Sequence, residues 1–317
     1  MTAEPAFLPV DKWMIREDTV QTCNIFFRSA EGKMVLYCAG GQKVAQQMYE
    51  KIREHQIDHL FINRRDRNNF KFYVENNLDS ILADPRIDTP KKVEVAYGSI
   101  RFVGEQLFRQ PKAEAIRRYR KVVFQTLEFV FKDNLALQNL IHLTTFDFSI
   151  YNHSINVGIF SIGLAKDILG EQPEHNLSEV VAGYFLHDIG KCRIPRDILY
   201  KRGPLTRGER TCMQGHVEEG LAILAEHDAL ARETELIVAQ HHERHNGTGY
   251  PRGLSGDDIH IYARICSIAD VFDGLTSYRP YRMELSTFEA LKKMKTEMFK
   301  SFDPIFFEKF VNMFGKR

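Results

Sequence analysis

The sequence predicts a mainly α protein, with a small α/β unit ahead of an all-helical body. Three observations carry that prediction. Segments rich in β-formers are confined to residues 1–85. From Val93 onward strand signals nearly vanish, and apolar residues recur at helical spacing. The chain of 317 residues is also long enough for two domains. The layout expected is therefore an α/β domain over 1–85, a linker with connecting helices over 86–145, and a helical core over 146–317.

The elements follow in order. "TCNIFFRS" and "KMVLYCA" read as strands joined by "AEG", a hairpin. "QKVAQQMYEKIREH" places Val44, Met48 and Ile52 at helical spacing, and "HLFIN" is a short apolar strand. "NNFKFYVENNLDSIL" reads as an amphipathic helix. "ADPRIDTPKK", with its prolines and mixed charge, reads as a linker or helix break. "EAIRRYRKVVFQTLEFVFKDNLALQNLIHL" has long helical periodicity. Further helices are expected around 151–169, 177–187, 207–226, 230–242, 259–274 and 286–299. There is no internal repeat or low-complexity segment.

Composition narrows the function. A net charge of +1 argues against a nucleic-acid polymer or an anionic membrane as partner. The basic run "RRYRK" (117–121) reads as a solvated helix face. Five scattered cysteines without a CxxC pair suit a reducing compartment rather than a disulfide framework. The N-terminal stretch lacks the pattern of a secretion signal, and no apolar run reaches the ~18 residues of a membrane span. A soluble, cytoplasmic protein is expected.

The chemistry is concentrated in paired ligand-type residues. His187 and Asp188 are adjacent in "FLHDIGKCRIP", and His241 and His242 in "QHHERHNGTGYP". Neighbours on a straight helix point about 100° apart, so such a pair converges on one site only where the helix ends or where two cations lie between them. Gly190 and Pro195 supply an ending after the first pair; Gly247, Gly249 and Pro251 supply one after the second. A short carboxylate such as Asp188 can bridge two cations. A nitrogen and oxygen donor set suits iron, manganese or zinc better than calcium or magnesium. The competing reading is a set of hydrogen-bonded core histidines, which is the one given to His142, His175 and His227.

"HDIGKCRIP", "HHERHNGTGYP" and "RICSIADVFDGLTSYRPYR", with "NHSINV" upstream and "FDP" near the end, closely resemble the HD-GYP phosphodiesterases, a branch of the HD-domain metal-dependent phosphohydrolases. The resemblance covers about residues 95–317. It implies an all-helical HD-GYP catalytic domain that hydrolyses cyclic di-GMP to pGpG or GMP at a cluster of divalent cations. Its metal ligands match His153, His187, Asp188, His216, His241, His242 and Asp270. Its phosphate-contacting lysine matches Lys191, and its substrate contacts match Tyr250, Arg279 and Arg282. Where three-metal members carry a glutamate, this chain has Ser149, so two cations, iron or manganese, are expected. Asp273 is expected to support the site from behind or to pack its helix rather than to act as a ligand.

The mechanism expected is attack on phosphorus by a hydroxide bridging two metals, at Asp188, in line with the bond to the 3′-oxygen, which breaks as that oxygen leaves, with Lys191 and the metals stabilising the charge that builds on the non-bridging oxygens. The alternatives are a degenerate receptor or interaction module that binds the dinucleotide or a partner protein without turnover, and a phosphodiesterase for a hybrid cyclic GMP–AMP. The N-terminal unit carries no cofactor fingerprint and reads equally as a sensory or an interaction module. Beyond cyclic di-GMP, the partners considered are a second copy of the chain and a diguanylate cyclase or other signalling protein.

Overall fold

The computed structural model describes residues 6–46, 50, 59–144, 149–170, 175, 177–278 and 283–315. The chain divides into two compact units, Met1–Ser99 and Ile100–Arg317.

In the first unit, β1 (Phe7–Asp11), β2 (Ile25–Arg28), β3 (Met34–Cys38) and β4 (His59–Asn63) form an antiparallel sheet in the order β1-β4-β2-β3. The expected β2–β3 hairpin is present, with Arg28 opposite Met34. Its turn closes through the Gly32 N–H to the Ser29 carbonyl at 2.9 Å. Along β4, Leu60 and Ile62 are buried while His59 is exposed, the alternation of a strand with one covered face. The strand β1 escaped the sequence reading because Pro9 interrupts it; proline is tolerated there because β1 lies at the sheet edge. The helix read over "NNFKFYVENNLDSIL" is two helices, α1 (Arg67–Asn76) and α2 (Leu78–Leu82). The break is at Asn77, whose side-chain amide donates to the Tyr73 carbonyl at 2.8 Å. Val44 is buried, whereas Met48 and Ile52 of the other expected helix lie outside the described residues. The helix α3 (Thr89–Arg109) follows.

The second unit is helical. The long periodic stretch before residue 143 is α4 (Ala113–Lys132) and α5 (Asn134–His142). Asp133 separates them and caps α5 by accepting the Leu135 N–H at 2.9 Å. In "RRYRK" the helix face is not wholly solvated: Tyr119 is fully buried and Arg120 pairs with Glu179. Next come α6 (Ile150–Leu169), α7 (Leu177–Leu186), a 3₁₀ turn (Ile189–Arg193), α8 (Arg196–Leu199), α9 (Arg207–Gln214) and α10 (His216–Glu226). After these come α11 (Arg232–Gln240), α12 (Ile261–Thr276), α13 (Thr287–Glu297) and α14 (Pro304–Met313). The single helix expected over 207–226 is thus broken at Gly215, which makes His216 the first residue of α10.

The helix α6 is buried on nearly every side, Asn152, Ser154, Asn156 and Ser161 included. It packs against α7, α12 and α14, and α7 packs against α11. Val157, Phe160 and Leu164 of α6 meet Ile265, Ala269 and Phe272 of α12 and Phe307 and Phe310 of α14. Each of these side chains other than that of Ala269 contributes about 1.5–3 kcal/mol by leaving water. The 3₁₀ turn lies directly on α10: a Cβ on Gly190 would stand 1.9 Å from the His216 carbonyl oxygen. Only glycine permits that approach, and it brings Asp188 up against His216. Among the described residues no helix is long and apolar enough to cross a membrane.

Candidate metal centre

The ligand-type residues sit at helix ends or on one helix face. His187 and Asp188 follow the last residue of α7, and Asp188 has left helical geometry at φ −104° and ψ 11°. His241 caps the C-terminus of α11, with His242 next. His216 opens α10, His153 lies in the first turn of α6, and Asp270 lies within α12. The structure brings all seven to one place. Two groups have ligand-type atoms within 4.8 Å of one another: Asp188, His216, His241 and His242, and His153, His187 and Asp188. Asp188 belongs to both. Asp270 joins the groups from α12, with Oδ1 at 3.2 Å from His153 Nε2 and Oδ2 at 3.5 Å from His242 Nδ1.

The hydrogen bonds fix which ring nitrogens face inward. A backbone carbonyl can only accept, so a ring nitrogen bonded to one must carry the proton. His187 Nδ1 donates to the Tyr184 carbonyl at 2.8 Å, His216 Nδ1 to that of Met213 at 2.7 Å, and His241 Nδ1 to that of Val238 at 2.9 Å. In the neutral rings Nε2 is therefore a bare lone pair. His216 Nε2 and His241 Nε2 nevertheless face each other at 3.3 Å, with His216 Nε2 also 3.3 Å from Asp188 Oδ1. His187 Nε2, His153 Nε2 and Asp188 Oδ1 are buried without a hydrogen-bond partner. Lone pairs and carboxylate oxygens converging where the side chains are buried repel one another unless a cation lies among them, so the donor set fits a metal.

The electrostatics agree. Burial lowers His187 to about 3 and His216 to about 4, which keeps both rings neutral and able to coordinate. His242 is held well below its ordinary value by burial and by His241. Burial would raise the carboxyls of Asp188 and Asp270, but Lys191 and His187 at Asp188, and His153 and His242 at Asp270, outweigh it and hold both well below the usual range. His153 goes the other way. Burial opposes its protonation, but Asp188, Asp270 and Asp273 together raise it well above its ordinary value. The cluster's excess negative charge draws a proton onto the same Nε2 that a bound cation would occupy.

Supporting residues complete the site. Asp273 accepts from His153 Nδ1 at 2.6 Å, from Asn156 Nδ2 at 2.7 Å and from Ser277 Oγ at 3.0 Å, and so orients the ring from behind, as anticipated. Glu243, given no role from sequence, is buried and accepts the Arg252 and Leu254 N–H groups at 2.7 and 3.0 Å. It ties down the turn that carries Tyr250, whose ring stacks on His242 at 4.6 Å. An acid directly after the HH pair was the only signal available in the sequence. Ser149 accepts the Asn152 N–H at 3.1 Å as the cap of α6. The Lys191 ammonium contacts Asp188. A cavity of about 350 Å³ opens over the cluster, lined among others by His153, Lys191, His216, His242, Tyr250 and Asp270. Arg279 and Arg282 lie outside the described residues.

Residues 139–305 match the HD domain family, a span of more than half the chain that contains every ligand-type residue of the cluster. A cyclic di-GMP phosphodiesterase of Pseudomonas aeruginosa is 37% identical over 180 residues, which cover 57% of this chain and 43% of that protein. A 3′3′-cGAMP-specific phosphodiesterase of Vibrio cholerae is 42% identical over 120 residues, covering 38% of this chain and 23% of that protein. The chain thus spans less than half the length of these curated relatives. A solved HDG"Y"P protein from Bdellovibrio bacteriovorus shares the fold, with a TM-score of 0.67 at 20% identity over 98% of this chain and 100% of that one. With the matched span, the relatives and the motif residues gathered at one centre, the chain belongs to the HD domain family as an HD-GYP member.

Proposed function

We propose that this chain is a metal-dependent phosphodiesterase that hydrolyses cyclic di-GMP to pGpG, GMP or both. One observation carries the reading: a fully buried carboxylate, Asp188, belongs to both groups of ligand-type residues. The name of the Pseudomonas aeruginosa relative supports the substrate.

In this reading His153, His187, Asp188, His216, His241, His242 and Asp270 hold two divalent cations, iron or manganese. When bound, such a pair supplies the Lewis acidity that makes water nucleophilic and offsets the charge of an attacked phosphate. The chain's own groups do the rest. Asp188, shared by both ligand groups, would help to hold both cations, and Asp273 keeps the proton of His153 on Nδ1, so that Nε2 stays available. Lys191 borders the cavity, where its ammonium offsets charge on a non-bridging oxygen of the phosphate. Tyr250, stacked on His242 and lining the cavity, gives the substrate a flat wall. Leu199, Leu205 and Met213 line the same cavity and displace water. Arg279 and Arg282 are assigned the second phosphate on the motif alone, because a guanidinium fork suits that group. Ser149, engaged as a helix cap, supports two cations rather than three.

Hydrolysis of cyclic di-GMP by manganese- or iron-loaded protein, beside Asp188→Ala, tests the reading. Wild type is expected to release pGpG or GMP, and the variant to lose more than about 10³-fold in rate. Tight binding with no turnover on any divalent metal would instead make the chain a receptor. The cGAMP-specific relative favours a second reading, a hybrid cyclic GMP–AMP substrate. Comparing kcat/KM for the two cyclic dinucleotides decides between them.

A further inference from the structure

A second recess, of about 690 Å³, adjoins the cavity over the cluster. Gly203, Leu205, Met213 and Tyr250 line both, so the two form one continuous groove. The far part is walled by α9, which contributes Arg210 and Gln214 along with Met213. These positions are spaced i, i+3 and i+4 and therefore share one helix face. Arg210 is exposed, and no side chain lining the recess is acidic. Elsewhere in this unit, Arg193 is held by Glu219 and Glu226, and Arg264 by Asp257 and Asp303. Among the described residues no carboxylate holds Arg210. The helix that carries it is nonetheless fixed at its start. Thr206 and Glu209 form a capping box, and Lys201 grips Glu209 at 2.6 Å.

A rigid helix offering an unclaimed guanidinium toward an acid-free recess suits a neutral, electron-rich edge. Guanine presents two acceptors, O6 and N7, side by side, and an arginine fork donates to both. Adenine places an amino donor where guanine has O6, so the same fork meets a donor and loses one bond. A cyclic dinucleotide with one phosphate at the cluster must send at least one base along the groove. We propose that the α9 recess receives a nucleobase of the substrate and that Arg210 selects guanine there through O6 and N7. This rests on the proposed function, because it takes a cyclic guanine dinucleotide as the substrate.

The test uses the full metal-loaded chain with bis(p-nitrophenyl) phosphate, a phosphodiester without a base, as reporter substrate. Inhibition constants are measured for cyclic di-GMP, cyclic di-IMP, which keeps O6 and N7, and cyclic di-AMP, which does not. Wild type is expected to bind the first two more tightly than the third. Arg210→Ala should weaken the first two roughly 10- to 100-fold and leave cyclic di-AMP unmoved. Arg210→Gln should shift the preference toward cyclic di-AMP, because a glutamine amide pairs with adenine N6 and N7. Equal weakening of all three by Arg210→Ala, or weakening of none, overturns the assignment. Wild-type turnover of the reporter that cyclic di-GMP does not inhibit would contradict the proposed substrate instead.

Discussion

The histidines of the centre fall into an inner and an outer set that are held by different means. His187, His216 and His241 are at most 1% exposed, and each is pinned by the backbone carbonyl three residues before it. His153 and His242, with side chains 12% exposed, are held by other side chains: His153 by the Asp273 carboxylate and His242 by the ring of Tyr250. The inner rings are placed by the backbone, so their geometry comes with the fold. The outer rings depend on neighbouring side chains rather than on the backbone, so a single substitution can loosen them without disturbing a helix.

That contrast predicts a graded series. Replacing an inner ring, His187→Ala, is expected to abolish metal retention and lower turnover by more than about 10³-fold; metal analysis and the hydrolysis assay measure this. A variant that keeps its metal would erase the distinction. Acid should separate the sets next, in the metal-free protein. His187 and His216 have folded pKa values of about 3 and 4, below the ~6.5 of an unfolded histidine. The unfolded chain therefore binds more protons between those values, and stability falls as pH drops from 6.5 toward 4, by up to about 1.4 kcal/mol per group per pH unit. His242, though outer, is also depressed and adds to this slope. His153 is raised, so its contribution is fully present below pH 6.5 and is lost only as pH climbs through its folded value. Thermal melts of stripped protein at pH 7 and pH 5 should show the lower midpoint at pH 5; a flat response would place the buried rings wrongly.

Smaller effects belong to the outer set. Asp273→Asn should cost roughly 10- to 100-fold in metal affinity or activity while the fold persists, as read by metal titration beside a thermal melt. A loss as large as that of His187→Ala would mean that the two sets do not differ. Tyr250→Phe keeps the ring against His242, so a change of about threefold or less is expected in kcat/KM. A large drop there would assign the hydroxyl a direct role.

The HD and HH pairs were legible because each stands at a helix end marked by glycine or proline, and the structure converges them there. Most helices of the second unit fall within a few residues of their periodic pattern. The misreadings have local causes. Asn77 and Asp133 end helices through their own side chains inside continuous apolar periodicity, and Gly215 splits α9 from α10. The proline in β1 hides an edge strand. Glu243 could not be given its role because its partners, the Arg252 and Leu254 N–H groups, are backbone and leave no residue-type signal. The recess beside α9 was invisible for a related reason: Arg210 acquires meaning only once Tyr250 and Met213 close the groove beside it.

Counting metal ions in wild type and in Asp188→Ala, both purified without oxygen and loaded with manganese, tests the shared carboxylate most directly. Wild type is expected to hold about two ions per chain and the variant to lose both, because each group of ligands is built on the same side chain. A variant that retains the full complement would contradict the bridging role of Asp188 and the two-cation site with it.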